Sequence, residues 1–377
     1  MNKIQLVIIA VALLATSGTC AALSDEEELG KLLYFDTNLS TPAGQSCASC
    51  HHPTAGFADP DNDQPVSQGV LPMKRFGNRN SPTAAYAAYS PDFGTITEDG
   101  ETLYAGGQFW DGRAKDLVEQ AKGPFLNPLE MNNPNKRTVI VKINNSDYAD
   151  FFEEVTDVNL TYLSGSNVEL AYQKTAEAIA AYENTSELNQ FSSKYDLYLA
   201  GDVELTGEEM MGLELFEEKA LCSQCHPSEP GPYADQALFT DYTYDNLGTP
   251  KNPDNPFYTL PKKFNPDGAN FVDYGLGGFL MSGGVAGWEN EAGKVKVPTL
   301  RNIGVTSPYM HNGVFGSLEE VVDFYNTRDN ATAVWPAPEV AENVNIGELG
   351  DLGLNETEVT ALVAFMETLT DGYAAPA

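Results

Sequence analysis

Apolar residues recur at helical spacing in several stretches of the chain, and polar runs rich in Gly and Pro separate them. Ser24, with Glu27 three residues on, carries a capping-box signature. Leu29, Leu32 and Leu33 give the helix behind it an apolar face. Helical patterning returns at 114–122 and runs strongly through 168–199. Thr206 with Glu209 opens another helix, and Ser317 with Glu320 the next. On that one Leu318, Val321, Val322 and Tyr325 share one face. Asn355 with Glu358 opens the last helix, whose inward face is Val359, Leu362, Val363, Met366 and Leu369. Residues 36–100 and 227–297 are loop-rich. Gly275-Leu276-Gly277-Gly278 and Ser282-Gly283-Gly284 read as turns, because no strand-Gly-helix context or G-K-[ST] accompanies them. No stretch alternates convincingly as a strand. The pattern predicts a mainly α protein with long loops.

The loops contain the chemistry. Cys47-Ala48-Ser49-Cys50-His51 recurs as Cys222-Ser223-Gln224-Cys225-His226. C-x-x-C-H is the attachment signature of c-type haem. Two thiols bind the macrocycle edge, and the next His, His51 or His226, ligates iron from the proximal side. A zinc reading would give each cluster two Cys and one His, with no fourth Cys nearby. Two copies at long spacing indicate domain duplication rather than a solenoid. The expectation is two tandem cytochrome c-like haem domains, 23–190 and 191–377, joined near 185–205. The last helix is a candidate to pack back on the first domain.

The chain opens with Met1-Asn2-Lys3, an apolar run from Ile4 to Ala15 and small residues to Ala22. This is a signal-peptide pattern over 1–22, too short to span a bilayer. Cleavage near Ala21 or Ala22 removes Cys20, and the other Cys are then used by haem. Lipid anchoring would instead make Cys20 the first residue, although Ser17-Gly18-Thr19 matches that pattern poorly. Export to the periplasm, with an outer-surface location as a variant, suits c-type haem. The net charge of -33 excludes nucleic acid as a natural partner. It suits a basic partner protein, or simply a solvated acidic surface.

Around the haem motifs the chain resembles the bacterial dihaem cytochrome c peroxidase and MauG family. The marks are Leu29-Gly30-Lys31-Leu32-Leu33-Tyr34-Phe35-Asp36, Arg79-Asn80-Ser81-Pro82-Thr83, Phe109-Trp110-Asp111-Gly112-Arg113, Pro298-Thr299-Leu300-Arg301-Asn302 and Pro308-Tyr309-Met310-His311-Asn312-Gly313. The resemblance implies that peroxide meets the N-terminal haem and that the C-terminal haem passes electrons. It places Trp110 between the haems, and Gln120 and Glu130 in the distal pocket. A carboxylate there makes chemical sense as a base that then acts as acid. The resemblance also implies a calcium site at Asn80, Thr306 and Pro308, whose hard oxygen donors suit Ca²⁺. His311 matches a histidine near the second haem, read as a hydrogen-bonding group rather than an iron ligand. His52 is read as a loop residue without a role.

Two departures point to the MauG-type branch. In many peroxidases a histidine after Ser-x-Gly caps the first haem; here Ser67-Gln68-Gly69 is followed by Val70. Where those peroxidases place an axial methionine for the second haem, this chain has Tyr325, as MauG-type enzymes do. The leading expectation is a dihaem oxidase that uses hydrogen peroxide to form a high-valent state shared between the haems. It would oxidise a protein substrate, through Trp or Tyr side chains, outside the haem pocket. The alternatives are a cytochrome c peroxidase fed by a small cytochrome or cupredoxin, and a non-catalytic electron-transfer dihaem cytochrome.

Overall fold

The computed structural model describes residues 22–374 except 62, 71, 72, 99 and 333. The leader and Cys20 lie outside the described residues. Ten helices carry the described fold: α1 Asp25–Phe35, α2 Leu117–Leu126, α3 Lys136–Asn144, α4 Ala149–Thr156, α5 Gly165–Glu183, α6 Lys194–Ala200, α7 Gly207–Glu217, α8 Gly275–Ser282, α9 Leu318–Thr327 and α10 Glu356–Glu367. Reciprocal capping boxes start α1 at Ser24/Glu27, α7 at Thr206/Glu209 and α10 at Asn355/Glu358. Each satisfies backbone donors that a helix start leaves free. Ser317 caps α9, but the Glu320 carboxylate accepts from Gly316 N–H instead of completing the box.

One core is built mainly from α1 to α5, including Leu29, Leu33, Tyr34, Phe125, Ile140 and Tyr182. A second comes from α6, α7, α9 and α10, including Phe216, Phe239, Phe324, Leu362 and Phe365. The chain does not divide cleanly, because Leu238 and Tyr242 belong to the first core. α10 packs on α7 and α9. Contact with the first half comes just beyond it, where Asp371 accepts from the Tyr86 hydroxyl at 2.8 Å.

Both cores depend on a helix pair that crosses at a glycine. A Cβ built on Gly30 in α1 would lie 1.9 Å from the Ala178 carbonyl oxygen of α5. One built on Gly212 in α7 would lie 2.0 Å from the Ala361 carbonyl oxygen of α10. In each pair the aromatic one turn later, Tyr182 or Phe365, covers the same glycine. The two halves are therefore duplicated in packing as well as in motif.

Several expectations need correction. The stretch 168–199 is two helices, since the Asn184 cap and the 185–193 segment interrupt it. Leu32 is surface-exposed, and Tyr34 takes the buried place beside Leu29 and Leu33. The helix expected at 114–122 runs later, from an Asp116 cap to Leu126, and tolerates Pro124 in its last turn. The glycines at 275–278 form the first turn of α8, not turns between elements. Small size is needed there: Gly275 meets the Lys294 carbonyl, and Gly277 meets the Ala292 backbone. Strands also occur. β1 (Gln68–Gly69) pairs with β2 (Arg75–Phe76), β3 (Gly94–Glu98) with β4 (Glu101–Ala105), and β5 (Tyr244–Asp245) with β6 (Val295–Lys296), all antiparallel. The β3–β4 hairpin is mostly solvated, so its sequence carries little apolar alternation.

The glycine crossing gives a prediction with a definite sign. Helix propensity alone favours Ala over Gly by about 1 kcal/mol. Backbone contact at Gly30 should reverse this, so Gly30→Ala should lose about 1–3 kcal/mol. The check is the denaturant midpoint of the haem-loaded protein; an unchanged or raised midpoint contradicts the close approach.

Candidate functional site

Each C-x-x-C-H run forms a single tight turn. His51 N–H donates to Cys47 O at 2.9 Å, and His226 N–H to Cys222 O at 2.9 Å. All four cysteines are free and half-buried. Burial pushes every one of these thiols well above its ordinary value. Among the described residues no three His, Cys, Asp or Glu side chains converge as a metal cluster. The zinc reading therefore finds no ligand set.

Both motif histidines are kept neutral by their surroundings. His226 Nδ1 lies 2.8 Å from the Phe239 carbonyl. A carbonyl only accepts, so Nδ1 carries the proton and Nε2 keeps its lone pair. Burial takes His226 down to about 4, so it is neutral at pH 7. The His51 ring is also shifted down by burial, with backbone groups of Phe57 and Pro82 offsetting part of the effect. Its Nδ1 has no properly placed hydrogen-bond partner among the described residues.

The support behind the two rings is duplicated. Thr83 Oγ1 donates to the Gly56 carbonyl, and Thr299 Oγ1 to the Leu238 carbonyl, both at 2.6 Å. Phe57 and Phe239 follow those carbonyls, each with positive φ. Arg301 buttresses the second copy. It is 1% exposed, donates to the Ala237 carbonyl, pairs with Asp196 and stacks over Tyr86 and Phe191.

Beside the first motif, Gln45 acts as a clamp that no sequence motif announced. Its Oε1 accepts from Val70 N–H at 2.6 Å, and its Nε2 reaches Cys50 Sγ at 3.5 Å. Val70 is fully buried with φ +55°, and its N–H also donates to the Glu130 carbonyl at 2.9 Å. Glu130 thus sits in a loop fastened to the haem-attachment segment. Its carboxylate accepts from Asn127 Nδ2 at 2.8 Å. Burial raises its pKa, while the Arg113 charge and the Asn127 bond pull it back. Gln120 lies on α2, one turn before Pro124, and the Met131 N–H donates to the Pro124 carbonyl at 3.1 Å. No hydrogen bond joins Gln120 to Glu130 among the described residues. Glu183, also missed in the sequence, is a buried carboxyl whose charge acts on Cys47; burial pushes it up to about 8.

A cavity lies against the second motif. Cys222, Cys225, His226 and Tyr325 line it, with Leu318, Val321 and Val322 from the same face of α9. Burial, then the nearby Cys222 and Cys225, raise the Tyr325 phenol above its ordinary value. Met310 lines the cavity too, whereas Met281 is exposed on α8. His311 is buried at the wall with Nδ1 unpartnered among the described residues, and burial takes it down to about 4.

Trp110 belongs to the same wall, where it meets the first half. Its Nε1–H donates to the Asn80 carbonyl at 2.8 Å, and its own carbonyl accepts from Lys296 N–H at 2.8 Å. Burial takes the Lys296 ammonium down to about 7, partly offset by Asp111. Asn80 N–H donates to the His311 carbonyl at 2.7 Å, and Asn80 Nδ2 donates to the Pro308 carbonyl. Asn80 and Pro308 therefore meet at one place, and Thr306 lines the same cavity. An amide's two ends are interchangeable assignments, and turning Asn80 over would put Oδ1 beside the Pro308 carbonyl. That donor set fits a hard cation such as Ca²⁺. His52 caps a short turn by accepting from Thr54 N–H and touches none of these groups.

The comparisons agree with this geometry. Residues 24–204 match the family model described as Di-haem cytochrome c peroxidase. The methylamine utilization protein MauG of Paracoccus denitrificans is 38% identical over 91% of this chain and 88% of its own length. The cytochrome c551 peroxidase of Nitrosomonas europaea is 31% identical over 92% and 80%. The crystal structure of the diheme peroxidase BthA from Burkholderia thailandensis superposes with TM-score 0.81 at 31% identity, covering 95% of this chain and 88% of that one. A duplicated C-x-x-C-H turn, a neutral, half-buried His in each copy and these relatives lead to one conclusion: the chain belongs to the dihaem cytochrome c peroxidase family, a two-haem peroxidase or oxidase.

Proposed function

We propose that the protein is an exported, MauG-like oxidase that consumes hydrogen peroxide and draws electrons from a protein substrate outside the haem pocket. The observation that carries this reading is Tyr325, which shares the second cavity with His226 and offers a phenol oxygen. The 38% identity to MauG supports it. A helix long and apolar enough to cross a membrane does not occur among the described residues.

Within this reading 23–190 form the peroxide-side domain and 191–377 the electron-transfer domain. Cys47 and Cys50 hold the first haem by thioethers with His51 on its iron. Cys222 and Cys225 would hold the second, with His226 and Tyr325 as the residues that offer its iron a nitrogen and a phenol oxygen. The haems, when bound, would supply the redox chemistry that peroxide reduction needs. Glu130 takes the proton from the near oxygen of peroxide and returns it to the leaving oxygen. Gln120 orients the peroxide by hydrogen bonding. Val70, which has no ligating atom, keeps the first site open. Trp110 spans the distance between the sites. Asn80, Thr306 and Pro308 hold Ca²⁺, with water completing its shell.

A cytochrome c peroxidase reading has its own support, because Met310 also lines the second cavity. Glu130, raised and fastened beside the first motif, argues against a purely electron-carrying protein.

Glu130 must be ionised to accept the peroxide proton. Its raised pKa means that the peroxide step slows as pH falls through a value above the ordinary glutamate range. Glu130→Gln should abolish that acidic limb and slow the step by about 10²–10⁴. Stopped-flow mixing with peroxide across pH is the check, and an unchanged rate removes Glu130 from this role.

Tyr325 gives the test between the two readings. A phenolate favours ferric iron, whereas a neutral thioether favours ferrous iron. Burial opposes loss of the phenol proton, so ferric charge must enforce it. Tyr325→Met should raise the second haem's potential and end oxidation of a protein substrate, while peroxide still reacts at the first. Resonance Raman of the wild-type protein should show a phenolate–iron band; Met310 found on the iron would return the reading to an ordinary peroxidase.

A further inference from the structure

A row of ionisable side chains runs from the surface to Trp110's neighbour. Lys251 Nζ lies 4.0 Å from Glu339 Oε1. Glu339 Oε1 accepts from Asp273 N–H at 3.3 Å. Asp273 takes Arg79 in two parallel bonds of 2.7 Å, and Arg79 also pairs with Asp111 at 2.7 Å. The row crosses between the two halves of the chain. Its inner side chains are nearly water-free, Asp273 at 7% and Glu339 at 5% exposure.

The charges do not balance at Glu339. Asp273 faces Arg79 and is held well below the usual carboxylate range. Asp111 faces both Arg79 and Arg113. Glu339 has only Lys251, at the limit of ion-pair distance, and that ammonium already donates to the Ala269 and Phe271 carbonyls. Glu339 Oε2 is buried with no hydrogen-bond partner among the described residues. The Tyr258 phenol also faces it and stays protonated, its pKa raised by burial and by Glu339. A buried carboxylate without a close cation holds a proton instead. Burial, then the Asp273 charge, push Glu339 up to about 7; the Asp273 N–H, Lys251 and Arg79 restrain it.

Glu339 also stands directly behind the second cavity. Its N–H donates to the Thr249 carbonyl at 3.1 Å, and Thr249 lines the cavity. The charge of Asp273, its neighbour, is felt at His311 in the same wall. A change of charge in the cavity is therefore transmitted to Glu339 through little water.

We propose that Glu339 binds one proton from solvent when the second haem gains one electron, and releases it when that electron leaves. The balance is one electron from a reductant onto ferric iron and one proton from water onto the carboxylate, giving ferrous iron and a neutral carboxyl. The half-exposed Lys251 marks the solvent end. Acid then favours the reduced state, so the second haem's potential falls as pH rises through neutrality.

The proposal rests on a second haem at His226, so the haem-to-protein ratio is measured first; a one-haem protein sinks that reading. The full two-haem protein is then titrated with a chemical reductant from about pH 5 to about pH 9. The wild-type potential should fall with pH, approaching one proton per electron. Glu339→Gln should lose the slope with the second haem's spectrum unchanged. A flat wild-type profile, or the same slope in Glu339→Gln, overturns the proposal. If the variant does not fold, reduced-minus-oxidised infrared spectra of the wild type serve instead. A carboxylic-acid band that appears on reduction and shifts in deuterated water is expected, and its absence overturns the proposal.

Discussion

Residues 79–83 serve both haem sites at once, and the rest of the structure is arranged to hold them. Arg79 is tied to Asp273 in the second half of the chain. Asn80 takes the Trp110 indole N–H and meets Pro308 and His311. Pro82 lies beside the His51 ring, and Thr83 props the carbonyl before Phe57. A displacement of this segment would disturb a histidine on one side and the second cavity on the other. The buried Arg79 pairings make displacement costly, because removing one partner would leave an uncompensated charge out of water.

Around that segment the molecule repeats itself. Each half has a helix pair meeting at a glycine, a C-x-x-C-H turn, and a Pro-Thr segment supporting the ring. The halves differ in what each adds to this shared plan. The first half adds the Glu130 loop, clamped through Val70 and Gln45. The second adds α9, whose Tyr325 lies in the cavity where Val321 and Val322 pack.

Features fixed by neighbours in sequence were legible. The caps at Ser24, Thr206 and Asn355 are local exchanges of hydrogen bonds, and the haem turns need only a short spacing. The shared face of Leu318, Val321, Val322 and Tyr325 follows from helical periodicity alone. Features made by distant chain were not legible. α8 looks like turns because its glycines answer to the backbone at Ala292 and Lys294. Gln45, Glu183 and Glu339 stand in no motif, and their environments come from Val70, Cys47 and Asp273. Leu32 matches the apolar period, yet the crossing at Gly30 turns Tyr34 inward instead.

In the proposed mechanism the two sites act as one oxidising unit across Asn80 and Trp110. The most direct measurement mixes the oxidised two-haem protein with one equivalent of peroxide and follows the ferric signal of each haem by freeze-quench electron paramagnetic resonance. Both signals should fall together, although only the first site has Glu130. Loss of the first signal while the second persists would contradict it.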